Sequence, residues 1–260
     1  MKVESYIQGQ PCWVELASHD WQAGKSFYQQ LFNWQLVDME TPDGHYTTMQ
    51  IDGGDVAAMY QMSAEIAKDT PSHWTIYFAV DNVDETIERV KQAGGQLVIG
   101  PHNVGDAGRM AVFLDPEGAS FAVWQAMEHS GIQHRQMANT LCWVELACSD
   151  TGVEKQFYSQ ALGLNTKLND SVDFEYTEWH AKDTPIGGMM AMTEEWGDMP
   201  THWMSYFDVD DCDAMAARAA EIGGKVCVPP TDIPQVGRFA VINDPQGAVF
   251  SIIQLITREY

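Results

Sequence analysis

Apolar positions along the chain alternate between two spacings. Trp13 to Ala17, Trp34 to Val37, Tyr46 to Ile51 and Val56 to Tyr60 read as short strands. Pro42-Asp43-Gly44 and Asp52-Gly53-Gly54 supply turns between them. After the first strand, Phe27, Tyr28, Leu31 and Phe32 recur at steps of three and four, which predicts a helix capped by Asp20. The pattern then restarts. Trp74 to Val80 predicts a strand, and Val83 to Ala93 a helix with Ile87, Val90 and Ala93 on one side. Gly94-Gly95 stops that helix, and Gln96 to Ile99, Met110 to Leu114 and Ser120 to Trp124 follow as strands. Two β-α-β-β-β modules thus fill the first half.

The second half repeats the first. Cys12-Trp-Val-Glu-Leu-Ala returns as Cys142-Trp-Val-Glu-Leu-Ala, and Phe27-Tyr28 as Phe157-Tyr158, both displaced by 130 residues. His73-Trp74 returns as His202-Trp203, Gly108-Arg109 as Gly237-Arg238, and Asp115-Pro-Glu-Gly118 as Asp244-Pro-Gln-Gly247, displaced by 129. Ordered matches over this much chain identify a tandem duplication with four modules. The expected layout is an N-terminal tail at 1–8, a first domain at 9–127, a polar linker at 128–137 and a second domain at 138–260. That linker holds His129, His134 and Arg135.

Charge narrows the partners. Thirty-seven acidic residues against fourteen basic ones give a formal charge of −23, so negatively charged nucleic acid and membrane surfaces are not expected partners. The excess fits solubility, a salty environment or an acidic interaction surface. The five cysteines, Cys12, Cys142, Cys148, Cys212 and Cys227, form no CxxC pair and read as reduced thiols of a cytoplasmic protein. Cys12 and Cys142 lie in apolar strands as small core residues. The N-terminus lacks a signal-peptide pattern, and no apolar run is long enough to span a bilayer.

The layout resembles the vicinal-oxygen-chelate superfamily, which includes glyoxalase I, the extradiol dioxygenases and the fosfomycin- and bleomycin-resistance proteins. The residues that carry the likeness are Asp20, Phe27-Tyr28, Val80-Asp81-Asn82-Val83-Asp84, Gly94-Gly95 and Asp115-Pro-Glu-Gly118. Their repeats are Asp150, Phe157-Tyr158, Val209-Asp210-Asp211, Gly223-Gly224 and Asp244-Pro-Gln-Gly247. The His-Trp-Tyr-Phe-Val-Asp run is most similar to the tandem, two-domain glyoxalase-like bacterial branch. The resemblance implies an α+β fold of two tandem domains, each pairing βαβββ modules into a cup-shaped mixed sheet with helices outside. The halves would form an internal pseudo-dimer, and a homodimer or an exchange of modules with a second chain also occurs in the family. It further implies a divalent metal on the concave face, yet the usual ligand slots fall on Trp13, Thr75 and Ala122, and on Trp143, Met204 and Ser251. Tryptophan, methionine and alanine are poor ligands for such an ion.

Strand alternation gives the remaining candidates. Trp13 and Glu15 share one face of the first strand, and His73, Thr75 and Tyr77 share one face of the central strand. With Trp124 they should line the first cup. Trp143, Glu145, His202, Met204, Tyr206 and Ser251 should line the second. Glu15 with His73, and Glu145 with His202, suit a carboxylate–imidazole acid–base pair, a relocated metal pair, or a structural hydrogen bond. Arg109 and Arg238 could hold an anionic group of a ligand or pair with the abundant acid. The tryptophans could stack a planar ligand or fill a cup without metal. His19, His45, His102 and His180 read as surface residues, and Met189, Met190 and Met192 as adaptable packing.

Three functions follow as expectations: a glyoxalase-like lyase, isomerase or oxygenase acting on a small molecule; a metal-free protein that sequesters an apolar ligand, as in the bleomycin-resistance branch; and a regulatory or interaction protein.

Overall fold

A computed structural model describes residues 2–41, 44–169 and 175–258. The expected turn residues Pro42 and Asp43 lie outside the described residues. The first half runs β1 (Pro11–Ser18), α1 (Trp21–Phe32), β2 (Gln35–Thr41), β3 (Gly44–Ile51), β4 (Gly54–Gln61), β5 (His73–Ala79), α2 (Val83–Gln92), β6 (Gln96–Val104), β7 (Gly108–Leu114) and β8 (Ser120–Ala126). The second half repeats it with β9 (Leu141–Cys148), α3 (Thr151–Leu162), β10 (Asn165–Leu168), β11 (Tyr176–Ala181), β12 (Thr184–Ala191), β13 (His202–Asp208), α4 (Cys212–Glu221), β14 (Lys225–Ile233), β15 (Gly237–Asn243) and β16 (Val249–Leu255).

Each half closes into one eight-stranded sheet, in the orders β2-β3-β4-β1-β5-β8-β7-β6 and β10-β11-β12-β9-β13-β16-β15-β14. The two modules of a half meet at an antiparallel pair, β1 with β5 and β9 with β13. Each helix starts where a side chain satisfies free backbone N–H groups. Asp20 accepts from Ala23, Asn82 from Glu85, Asp150 from Gly152 and Val153, and Asp211 from Ala214.

The helix-bearing faces of the two sheets are pressed together, so one apolar core runs through both halves. Trp74 packs against Phe207 at 5.4 Å between ring centres, and Phe78 against Trp203 at 5.2 Å. The same exchange recurs in the polar contacts. Trp74 Nε1 donates to Tyr28 Oη, which donates to Asp244 of the other half at 3.1 Å. Trp203 Nε1 donates to Tyr158 Oη, which donates to Asp115 at 2.9 Å. The recurrent Phe-Tyr, His-Trp and Asp-Pro-x-Gly motifs are therefore parts of one reciprocal seam. Close packing there excludes side chains from Gly95, where an added Cβ would stand 2.7 Å from Phe157.

With the helix faces buried against each other, the opposite face of each sheet looks outward. Segment 128–135, which the sequence marks as a polar linker, is fastened along its length. Ile132 is buried, its N–H donates to Cys12 O and its carbonyl accepts from Tyr6 Oη. Gln133 N donates to Asp55 O, and Arg135 reaches Pro11 O.

Candidate functional site

The outward faces are the two cups. Register places Trp13 opposite Tyr77 and Glu15 opposite Thr75, with Tyr77 beside Ala122 and Ala79 beside Trp124. In the second sheet Trp143 stands opposite Tyr206 and Glu145 opposite Met204, with Tyr206 beside Ser251. The expected cup residues on these strands therefore share their faces.

Their contacts differ from the expected pairing of carboxylate with imidazole. Glu15 accepts hydrogen bonds from Tyr46 Oη at 2.8 Å and Tyr77 Oη at 2.9 Å. Glu145 accepts from Tyr176 Oη at 2.8 Å and Tyr206 Oη at 2.7 Å. His73 and His202 instead direct Nδ1 to the carbonyls of Pro71 and Pro200, both at 2.8 Å. The reason is register: His73 stands opposite Ala17, one alternate position along the face from Glu15. His202 still acts on Glu145 through space, favouring its charged form.

Burial pushes the Glu15 carboxyl above the usual carboxylate range, and the hydroxyls of Tyr46 and Tyr77 offset part of that rise. Glu145 is raised by the same cause, with Tyr206, Tyr176 and His202 working against it. All four tyrosines are held well above their ordinary value, by burial first and by the neighbouring glutamate second. They remain neutral donors. Each cup thus holds a protonatable carboxyl flanked by two hydroxyls.

Tyr46 and Tyr176 are the members that pattern reading missed. They lie 130 residues apart, the displacement of the first repeat, and that coincidence was the available signal. Tyr176 reaches Glu145 by crossing Gly188, where an added Cβ would stand 1.8 Å from its hydroxyl. In the first half the corresponding neighbour of Glu15 is Ala58.

Arg109 and Arg238 are not cup residues. Arg109 alternates with Ala111 and Phe113 on the helix side and pairs with Asp84 of α2 at 2.9 Å. Arg238 pairs with Asp213 of α4 at 2.7 Å and with Asp232 at 2.8 Å. Neither is placed to receive a ligand anion in the cup. His180, expected as a lone surface residue, pairs with Glu178 at 3.1 Å. His45 stacks on Trp21, with ring centres 4.5 Å apart, and His19 Nε2 meets Thr70 O at 2.7 Å.

The divalent metal that the resemblance implies is a poor fit to these residues. Its usual slots carry Trp13, Thr75 and Ala122 in one cup and Trp143, Met204 and Ser251 in the other. Around each glutamate stand protonated tyrosines, which donate hydrogen bonds. Among the described residues no group of three His, Cys, Asp or Glu side chains could hold a metal ion.

A two-fold sheet-cup-helix arrangement with back-to-back packing defines a class, and comparison identifies it. The chain belongs to the Glyoxalase/Bleomycin resistance protein/Dioxygenase superfamily, whose model matches residues 12–123 and again 140–252. CFP32 of Mycobacterium tuberculosis (strain CDC 1551 / Oshkosh), provisionally named a glyoxylase, is 40% identical over 256 residues, covering 97% of each chain. The anthracycline biosynthesis protein DauV of Streptomyces sp. (strain C5) is 38% identical over 266 residues, covering 96% of this chain and 94% of that protein. Among solved structures, the Mn(II)-bound glyoxalase from Novosphingobium aromaticivorans superposes with a TM-score of 0.65 at 18% identity, over 97% of this chain and 86% of that one. The 2,3-dioxygenase LapB from Pseudomonas sp. KL28 superposes with a TM-score of 0.64 at 14% identity, over 98% and 96%. These structures share the fold. No helix among the described residues is long and apolar enough to cross a membrane.

Proposed function

We propose that this protein binds a small organic molecule in a concave cup without a metal, using the glutamate between two tyrosines as its polar anchor. The observation that carries this reading is the Glu–Tyr–Tyr cluster, built twice on the cup floor where the usual metal slots hold non-ligands. A carboxylate has about four lone-pair sites, and two tyrosines leave room for a ligand N–H or O–H. The names of the relatives, a glyoxylase and a biosynthesis protein, support a small-molecule role. The absence of a disulfide among the described cysteines fits a reducing, cytoplasmic setting.

A second reading has a specific observation in its favour. A carboxyl raised by burial holds or releases a proton nearer neutrality, which suits general acid–base chemistry on the bound molecule, such as a proton shift next to a carbonyl. The tyrosine hydroxyls would position the group and stabilise its charged form.

Elemental analysis of the purified protein tests the metal-free claim. Substoichiometric metal, unchanged in Glu145→Ala and Glu15→Ala, is the expected result. One metal per cup, lost with those substitutions, would overturn it. Gly188→Ala tests the cluster itself. The new methyl displaces Tyr176 from Glu145, and overpacking of this kind costs about 1–3 kcal/mol. A variant of unchanged stability whose Glu145 titrates as before would remove Tyr176 from the site.

A further inference from the structure

We infer that the two cups are not equivalent: ligand goes to the second, as an apolar molecule with a hydrogen-bond-donating, uncharged or cationic group, because the chain's own linker occupies the first. This rests on the reading that the glutamate cups bind small molecules.

The first cup is covered from its end. Trp124 Nε1 donates to His129 O at 2.8 Å. The His129 ring stands edge-on to Trp13, with centres 4.8 Å apart, and its Nε2 meets Asp55 at 3.2 Å. Burial alone would raise Asp55, but the hydrogen bonds from His129 and Gln50 outweigh it and hold the carboxyl below its usual range. Met127 and His129 both donate backbone N–H groups to Ala107 O. Beneath this strap Trp13 is 7% exposed and Trp124 9%.

Among the described residues the second cup has no such cover. The residue that corresponds to His129 is Arg258, and it turns to Asp208 at 2.6 Å and Asp210 at 2.6 Å. Asp55 is replaced by Pro185, and Trp124 by Ile253. Cys142, Tyr206 and Ile253 form an apolar cluster separate from the main core, and Trp143, Met204 and Phe239 lie against it only partly buried. Ile233, Val236 and Leu255 extend that cluster. An apolar surface kept apart from the core and left half open beside a buried carboxyl is what a ligand with an apolar body would cover.

Charge selects the polar end of the ligand. The four strands at the centre of this sheet, β12, β9, β13 and β16, contain neither Lys nor Arg. Arg258 is already held by two aspartates. Glu145 therefore faces the ligand with acceptor capacity and no Lys or Arg on these strands, only His202 acting on it through space, on a chain of formal charge −23. A carboxylate or phosphate brought to that floor would be repelled, whereas an amine or hydroxyl would complete the lone pairs of Glu145.

Fluorescence titration with N-phenyl-1-naphthylamine, a neutral aromatic amine with one N–H donor, tests the assignment on the full chain. One site per chain is expected, weakened about tenfold in Trp143→Ala and Glu145→Gln and unchanged in Trp13→Ala and Glu15→Gln. Trp143→Phe, which keeps a ring at that position, should retain most of the affinity and guards against a folding defect. The anionic analogue 1-anilinonaphthalene-8-sulfonate should bind at least tenfold more weakly than the amine. His129→Ala removes the ring from Trp13 and should add a second, weaker site. Binding lost with Trp13→Ala but kept with Trp143→Ala would overturn the choice of cup, as would two equal sites in the unaltered protein. Equal affinity for the sulfonate would overturn the ligand class. No binding of either dye, to any variant, would instead bring down the small-molecule reading beneath it.

Discussion

The two cups share a floor and differ at the mouth. Glu15 with Tyr46 and Tyr77 repeats as Glu145 with Tyr176 and Tyr206 at nearly the same distances. Above that floor, one half carries His129 across two tryptophans, and the other leaves Trp143, Met204 and Phe239 half open. Duplication delivered two copies of one polar cluster. The segment after the last strand, which lies over the tryptophans in one copy and turns to Asp208 and Asp210 in the other, separated their access. A floor that serves a ligand in one cup and only packing in the other is under different physical demands in each.

The seam between the halves shows the same contrast on a smaller scale. On one side the Asp115-Pro-Glu-Gly118 turn meets α3. Glu117 accepts from Ser149 N, Asp150 N and Thr201 Oγ1, all at 2.6 to 2.7 Å. Glu154 is fully buried there, against Asp115 and Glu117. On the other side Gln246 accepts correspondingly from Asp20 N and Ser72 Oγ, and in addition from Ser18 Oγ, and Gly24 stands in place of Glu154. One seam thus carries two more carboxyl groups than the other, Glu117 and Glu154 standing where Gln246 and Gly24 do.

The largest expected effect probes what the halves share. Phe207→Ala and Phe78→Ala each empty a fully buried ring site on the seam, and each should cost about 3–5 kcal/mol in urea unfolding, in a single transition. Two transitions, or loss confined to one half, would break the picture of one continuous core.

A smaller effect separates the seams. Burial, then the charges of Asp115 and Glu117, push Glu154 up to about 9. Its proton is thus kept in the folded chain to about pH 9, but in the unfolded chain only to about pH 4.3. The stabilisation tied to that proton is complete below about pH 4.3 and is lost as pH rises towards 9. Cys148, pushed up to about 12, and Asp150 are the other titratable groups near it. Glu154→Gln stays neutral throughout, so it should gain on the unaltered protein as pH rises, by on the order of 1–3 kcal/mol at pH 9. Parallel stability curves from pH 5 to 9 would show that Glu154 carries no such proton.

The smallest effect concerns the arginines. Arg109→Ala and Arg238→Ala remove pairs on the helix side and should leave affinity for the naphthylamine unchanged. A severalfold loss in either would return that arginine to the ligand site.

Much of this was legible in residue order. Displacements of 130 and 129 fixed four modules in two halves, because a duplication preserves order whatever the fold does with it. Alternation along β1 and β5 put Trp13, Glu15, Thr75 and Tyr77 on one face, since the side-chain period of a strand is two. Non-ligands in the metal slots could also be counted. The partner of Glu15 could not be counted. Tyr46 reaches it from the far side of β4, so its choice over His73 depends on which strands become neighbours. Arg109 reads as basic from sequence, but only the placement of α2 decides that Asp84 neutralises it. The linker reads as polar, and nothing local says that Ile132 is buried or that His129 lies on Trp13 and Trp124. The sequence by itself determined the repeat, the faces of the strands and the absence of familiar ligands, all properties of short range or of order. Tertiary structure alone decided which hydroxyls hold the glutamates and which cup stands open, because those depend on contacts between segments far apart in the chain.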